Sequence, residues 1–141
     1  PGSNAIGNRD YFNELQPKAS AHTFIDDKTI LEIIPINEVA YHVRYGVPTD
    51  NDLYGYDANK AAIGVELCYG GDVNFWEAYN RFTWYHAYLC QNFGLNPKKD
   101  IVSHKTLDPA RKIDPENVLG KQGIKFQQFL ADVYRMYVSF R

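Results

Sequence analysis

Apolar residues recur every three or four positions at Phe75, Ala78, Tyr79, Phe82, Tyr85, His86, Leu89, Cys90 and Phe93. That spacing lays one apolar stripe along an α-helix. Asn74 followed three residues later by Glu77 forms a capping-box start, and Gly94 supplies the stop. A second helical period, Phe126, Phe129, Leu130, Val133 and Tyr137, predicts a packing helix over about Ile124 to Tyr137. Asn8 to Leu15 reads as a short helix with Tyr11, Phe12 and Leu15 on one side. The pattern shortens elsewhere. Ala21 to Ile25 and Thr29 to Ile34 are strand-like, and Asp26-Asp27-Lys28 between them predicts a hairpin. Ala61 to Tyr69 is apolar on both faces except at one residue, and Ile101-Val102 reads as another short buried strand.

Strand, helix and strand in that order predict a βαβ crossover with parallel strands over 61–102. The whole chain, 1–141, then reads as one α/β domain, a mixed β-sheet flanked by helices. Ligands of open α/β sheets gather outside the carboxyl ends of parallel strands. His104 falls there, and Glu66 lies near the end of the neighbouring strand. Val43 to Lys60 is rich in Gly, Asp, Asn, Tyr and Pro and has no sustained period. It is expected to be a long loop, and long ordered loops are usually functional.

Composition narrows the function more than the fold. A net charge of −2 argues against a partner held by phosphate neutralisation, so nucleic acid is not expected. No apolar run reaches the length of a membrane span and no signal-peptide pattern opens the chain, so membrane insertion is not expected either. Cys68 and Cys90 fall in a predicted strand and helix, where buried free thiols are expected. Eleven tyrosines favour a polar cleft, because the ring packs while the hydroxyl hydrogen-bonds.

Chemistry concentrates between Ser103 and Glu116. His104 and Asp114 are of the type that binds zinc, and Lys112 adds a cation two residues before the second. A metal beside a cation polarises a carbonyl and steadies the oxyanion formed when water attacks. Two ligands do not make a site, and a charged surface loop stiffened by prolines has the same composition. Glu66 alternates with Ile63, Val65 and Leu67, sharing a face with Gly64 and Cys68. In so apolar a strand it is either a general base or acid with a raised pKa, or the partner in a structural ion pair. His42 sits at the mouth of the long loop, where it can contact substrate. His22 begins a strand and His86 lies on an apolar helix face, positions typical of packed histidines.

These residues fall in ordered motifs: Ala19-Ser-Ala-His-Thr-Phe-Ile-Asp26, Ile36-Asn-Glu-Val-Ala-Tyr-His42, Ala62-Ile-Gly-Val-Glu-Leu-Cys68, Ser103-His104 and Arg111-Lys-Ile-Asp-Pro115. In that order and spacing the chain resembles the zinc-dependent N-acetylmuramoyl-L-alanine amidases of the type-2 amidase and peptidoglycan-recognition group, above all endolysin and autolysin catalytic domains. The resemblance implies that group's α/β fold and hydrolysis of the bond between N-acetylmuramic acid and L-alanine in peptidoglycan. It implies Zn2+ as cofactor with His104 and Asp114 as ligands, Lys112 stabilising the tetrahedral intermediate, and Glu66 activating water. His42 and His22 fall in motifs that line the substrate groove. The implied partner is bacterial cell-wall peptidoglycan, with a separate wall-binding domain possible beyond the chain. The family's first zinc histidine ends an initial strand and has no counterpart before Asn8. It is expected to lie upstream of Pro1. A non-catalytic peptidoglycan-binding module on the same fold is the alternative.

Overall fold

The carboxylate of Asp26 organises the first part of the chain. In the computed structural model, which describes residues 2–140, one of its oxygens accepts the backbone N–H groups of Lys28 (2.8 Å) and Thr29 (2.7 Å), and the other accepts that of Ala5 (2.8 Å). The first two bonds close the expected hairpin between β1 (Thr23–Ile25) and β2 (Ile30–Glu32), which pair antiparallel with Thr23 opposite Glu32. The third holds the first N–H of helix α1 (Ala5–Leu15), one of the amides that no helix can satisfy internally.

Helix α1 starts three residues earlier than the period suggested, because the side chain of Asn4 caps it by accepting from Gly7 N–H at 2.8 Å. Its buried side is also narrower than expected. Tyr11 and Leu15 are 49% and 67% exposed. Phe12 instead packs on Phe24, ring centroids 5.3 Å apart, beside a core of Ala5, Ala21, Phe24 and Cys68. The third strand, β3 (Val65–Leu67), runs parallel to β1 with Phe24 beside Glu66, giving the order β2-β1-β3. Only the middle of the predicted 61–69 run is strand.

The stretch 43–60 is a loop only in part. Pro48 opens α2 (Pro48–Tyr54), where its fixed φ and missing N–H cost nothing, and Gly55 ends it at φ 67°. Asp57 caps α3 (Ala58–Ala61) by accepting from Asn59 N–H at 2.8 Å. Both helices are too short to show a period.

The chain divides into two compact units, the first running to Tyr79 and the second starting at Asn80. Helix α4 (Phe75–Phe93) straddles the division, with Asn74 Oδ1 accepting Glu77 N–H at 3.2 Å and Gly94 at φ 65° behind it. Those boundaries match the sequence. The following strand does not: residues 101 and 102 carry no strand, so the expected β-α-β crossover is absent among the described residues. Two apolar residues between Asp100 and Ser103 offer too short a run to form a ladder of their own. The second unit continues with α5 (His104–Leu107), α6 (Glu116–Lys121) and α7 (Phe126–Ser139).

In its core Phe82 stacks on Phe129 with centroids 5.0 Å apart, and His86 packs edge-on to Phe129 at 5.3 Å. His86 Nδ1–H donates to the Phe82 carbonyl at 2.8 Å, and burial pushes the imidazole pKa down to about 4. It is a neutral core histidine. Burial likewise lifts the free thiols of Cys68 and Cys90 to about 12 and about 11. Neither is a nucleophile at neutral pH. Among the described residues no helix is long and apolar enough to cross a membrane.

Asp26 also yields a stability prediction. It is 3% exposed; burial works to raise its pKa, but the three N–H bonds and the nearby Lys28 charge together hold it below the usual carboxylate value. Its contribution is therefore complete above the unfolded pKa of about 3.9 and is lost as pH falls through the lower folded value. Asp26→Asn replaces one acceptor oxygen by a donor facing N–H groups. Urea titration at neutral pH should show a loss of about 2–4 kcal/mol at unchanged m-value.

Candidate active site

Ser103 begins the chemistry of the second unit by capping α5. Its Oγ accepts Thr106 N–H at 3.1 Å and donates to Glu116 Oε1 at 2.7 Å. Lys105 N–H reaches back to the Asp114 carbonyl at 3.1 Å, so residues 103–106 and 114–116 are stitched together across the intervening turn. That turn has its own brace, Arg111 Nε–H donating to the buried Asp108 carboxylate at 2.7 Å. The loop that looked like solvated charge in the sequence is therefore tightly held.

The bracing places His104 Nδ1 2.6 Å from Asp114 Oδ2. His104 is buried and Asp114 half-buried. Burial works to raise the Asp114 pKa, but the His104 hydrogen bond, the His104 charge and the Lys112 charge outweigh it, and the pKa is lowered. A metal ion requires an ionised carboxylate and a neutral imidazole, and the low Asp114 pKa supplies the first of these. Lys112 is half-buried on the same turn, its N–H bonded to the Asp108 carbonyl at 2.8 Å. The sequence motif thus brings His104, Lys112 and Asp114 together as expected.

The first unit positions the other candidates. Glu66 lies at the centre of β3 and is half-buried. His22 is 1% exposed, and both ring nitrogens hold backbone: Nδ1 accepts Gly64 N–H at 2.9 Å, and Nε2–H donates to the Glu38 carbonyl at 2.9 Å. This is the packed histidine that its place at a strand start suggested. His42 is 6% exposed, and its ring meets that of His22 at 6.1 Å between centroids. Its backbone N–H donates to Asn59 Oδ1 at 2.9 Å. Asn59 was not among the residues singled out from sequence. Its one legible signal is its place two residues after Asp57, inside a short capped turn.

By donor chemistry, His104 and Asp114 each offer one atom that could hold a metal ion, and an imidazole with a carboxylate suits a borderline-hard divalent cation.

Comparison with known proteins agrees with this chemistry. The family model described as N-acetylmuramoyl-L-alanine amidase matches residues 1–117. The amidase BlyA of Bacillus subtilis (strain 168) is 39% identical over 113 residues, which are 74% of this chain and 31% of that protein. CwlL of Bacillus licheniformis, also named an N-acetylmuramoyl-L-alanine amidase, is 38% identical over 121 residues, 82% of this chain and 33% of that protein. The chain therefore spans about a third of the length of these curated relatives. The solved catalytic domain of XlyA superposes with a TM-score of 0.74 at 24% identity, covering 94% of this chain and 76% of that one. At that identity the likeness shows the fold: a small mixed sheet flanked by helices.

Proposed function

This chain belongs to the N-acetylmuramoyl-L-alanine amidase family, and we propose that it hydrolyses the amide joining the lactyl group of N-acetylmuramic acid to L-alanine in bacterial cell-wall peptidoglycan. The observation that carries the reading is the His104–Asp114 pair at 2.6 Å with the Lys112 charge beside it. A carboxylate kept ionised beside a buried imidazole is what a hydrolytic metal centre needs.

In this reading His104 and Asp114 would hold zinc. When bound, zinc supplies Lewis acidity, which acidifies water and polarises the scissile carbonyl. Glu66 accepts the proton of the attacking water and returns it to the nitrogen of the leaving L-alanine, a task suited to a half-buried carboxylate. Lys112 brings its ammonium to the oxyanion that develops on the carbonyl oxygen. His42 lines the groove, and His22 serves it from behind by holding Gly64. Exposed Tyr41, Tyr45 and Tyr56 flank the same segment, with Lys60 Nζ 5.6 Å above the Tyr45 ring. Such rings offer apolar faces to sugar and polar tips to peptide.

Digestion of purified walls tests the assignment. The reading expects new amino-terminal L-alanine with no rise in reducing sugar ends. Binding to walls with no new amino termini would instead identify a non-catalytic recognition module.

A further inference from the structure

Gly64 has no room for a side chain. A Cβ built there would lie 2.6 Å from His42 Cγ and 2.7 Å from His42 Cδ2. Its φ is not in the left-handed region, so an alanine is excluded by the imidazole and not by the backbone. Gly64 immediately precedes β3, so the His42 ring fills the place that a side chain at the start of the strand would take, two positions before Glu66.

The rest of the neighbourhood holds that arrangement. Asn59, 2% exposed, treats residues 42 and 43 as a neighbouring strand would: Oδ1 accepts both their N–H groups, at 2.9 and 3.0 Å, and Nδ2 donates to the Val43 carbonyl at 3.0 Å. Gly64 is held by His22 on both sides, its N–H donating to His22 Nδ1 at 2.9 Å and its carbonyl accepting His22 N–H at 3.0 Å. The Asn59 amide thus holds the backbone at 42 and 43, and His22 Nδ1 with the His22 N–H holds Gly64, the two sides of the His42–Gly64 contact.

We propose that Gly64 and Asn59 are positioning residues that fix the His42 imidazole against the start of β3 and thereby set the affinity of the groove for the muramoyl-peptide. This deepens the amidase reading and rests on it for the role of His42. Gly64→Ala, His42→Ala and the double variant form the test, in the zinc-loaded protein acting on N-acetylmuramoyl-L-alanyl-D-isoglutamine. Each single variant should raise KM about 10-fold, the value of one lost contact, and change kcat by less than about 2-fold. The double variant should match His42→Ala alone, because the alanine methyl then meets no ring. Asn59→Ala should behave like Gly64→Ala in the same cycle, and serves if Gly64→Ala does not fold. A wild-type KM in Gly64→Ala, or penalties that multiply in the double variant, overturns the proposal. The nuclear Overhauser contact between the His42 ring and Gly64 Hα separates this from the parent reading. If the wild-type protein never turns the substrate over, the amidase assignment fails. The positioning is then decided by the ring alone, upheld if Gly64→Ala or Asn59→Ala moves it and overturned if the ring keeps its wild-type signals in both.

Discussion

Replacing Glu66 with glutamine is expected to lower the rate of stem-peptide release by about 100- to 10,000-fold, the range that a positioned general base contributes. The substitution keeps the shape of the side chain and removes only its ability to take a proton. Glu66 sits in a three-residue strand whose ladder to β1 is made by backbone groups, so the fold should persist with a melting temperature near that of the parent. Zinc content should also persist, since His104 and Asp114 are untouched. Full activity in Glu66→Gln removes the glutamate from the mechanism. Loss of activity together with loss of zinc recasts it as a metal ligand.

His104→Ala carries the other large effect. It deletes one of the proposed metal donors and strips Asp114 of its 2.6 Å partner. With that hydrogen bond and charge gone, burial is opposed mainly by Lys112, so the Asp114 pKa should rise relative to the parent. Zinc content by elemental analysis should collapse. Turnover should fall on the order of 1000-fold or more, because Lewis-acid stabilisation is worth several kcal/mol. Zinc retained at one equivalent in this variant would take His104 out of the metal centre.

Much of this site was legible because its residues lie close in sequence. Ser103, His104, Lys112 and Asp114 are held by one capped turn, and local motifs survive without knowledge of tertiary structure. The same holds for the hairpin at Asp26 and for helix α4, whose cap at Asn74 and stop at Gly94 are local signals. What failed was either short or tertiary. Ile101-Val102 had strand composition but nothing that fixes a pairing partner. Helices α2 and α3 are under eight residues, too short for a period, although Pro48 with Asp50 and Asp57 with Asn59 carried their start signals. The roles of Asn59 and Gly64 rest on contacts with His42 across 17 and 22 positions, which no local pattern encodes. Asp26 looked like one turn residue among three, and only the fold shows it also holding Ala5.

Hydrolysis of purified peptidoglycan in water enriched in oxygen-18 tests the central claim most directly. Mass spectrometry of the products should place one heavy oxygen in the lactyl carboxylate of N-acetylmuramic acid and none in the released peptide, whose amino terminus is L-alanine. A label at a sugar anomeric carbon, or in a peptide carboxylate, would contradict the amidase assignment.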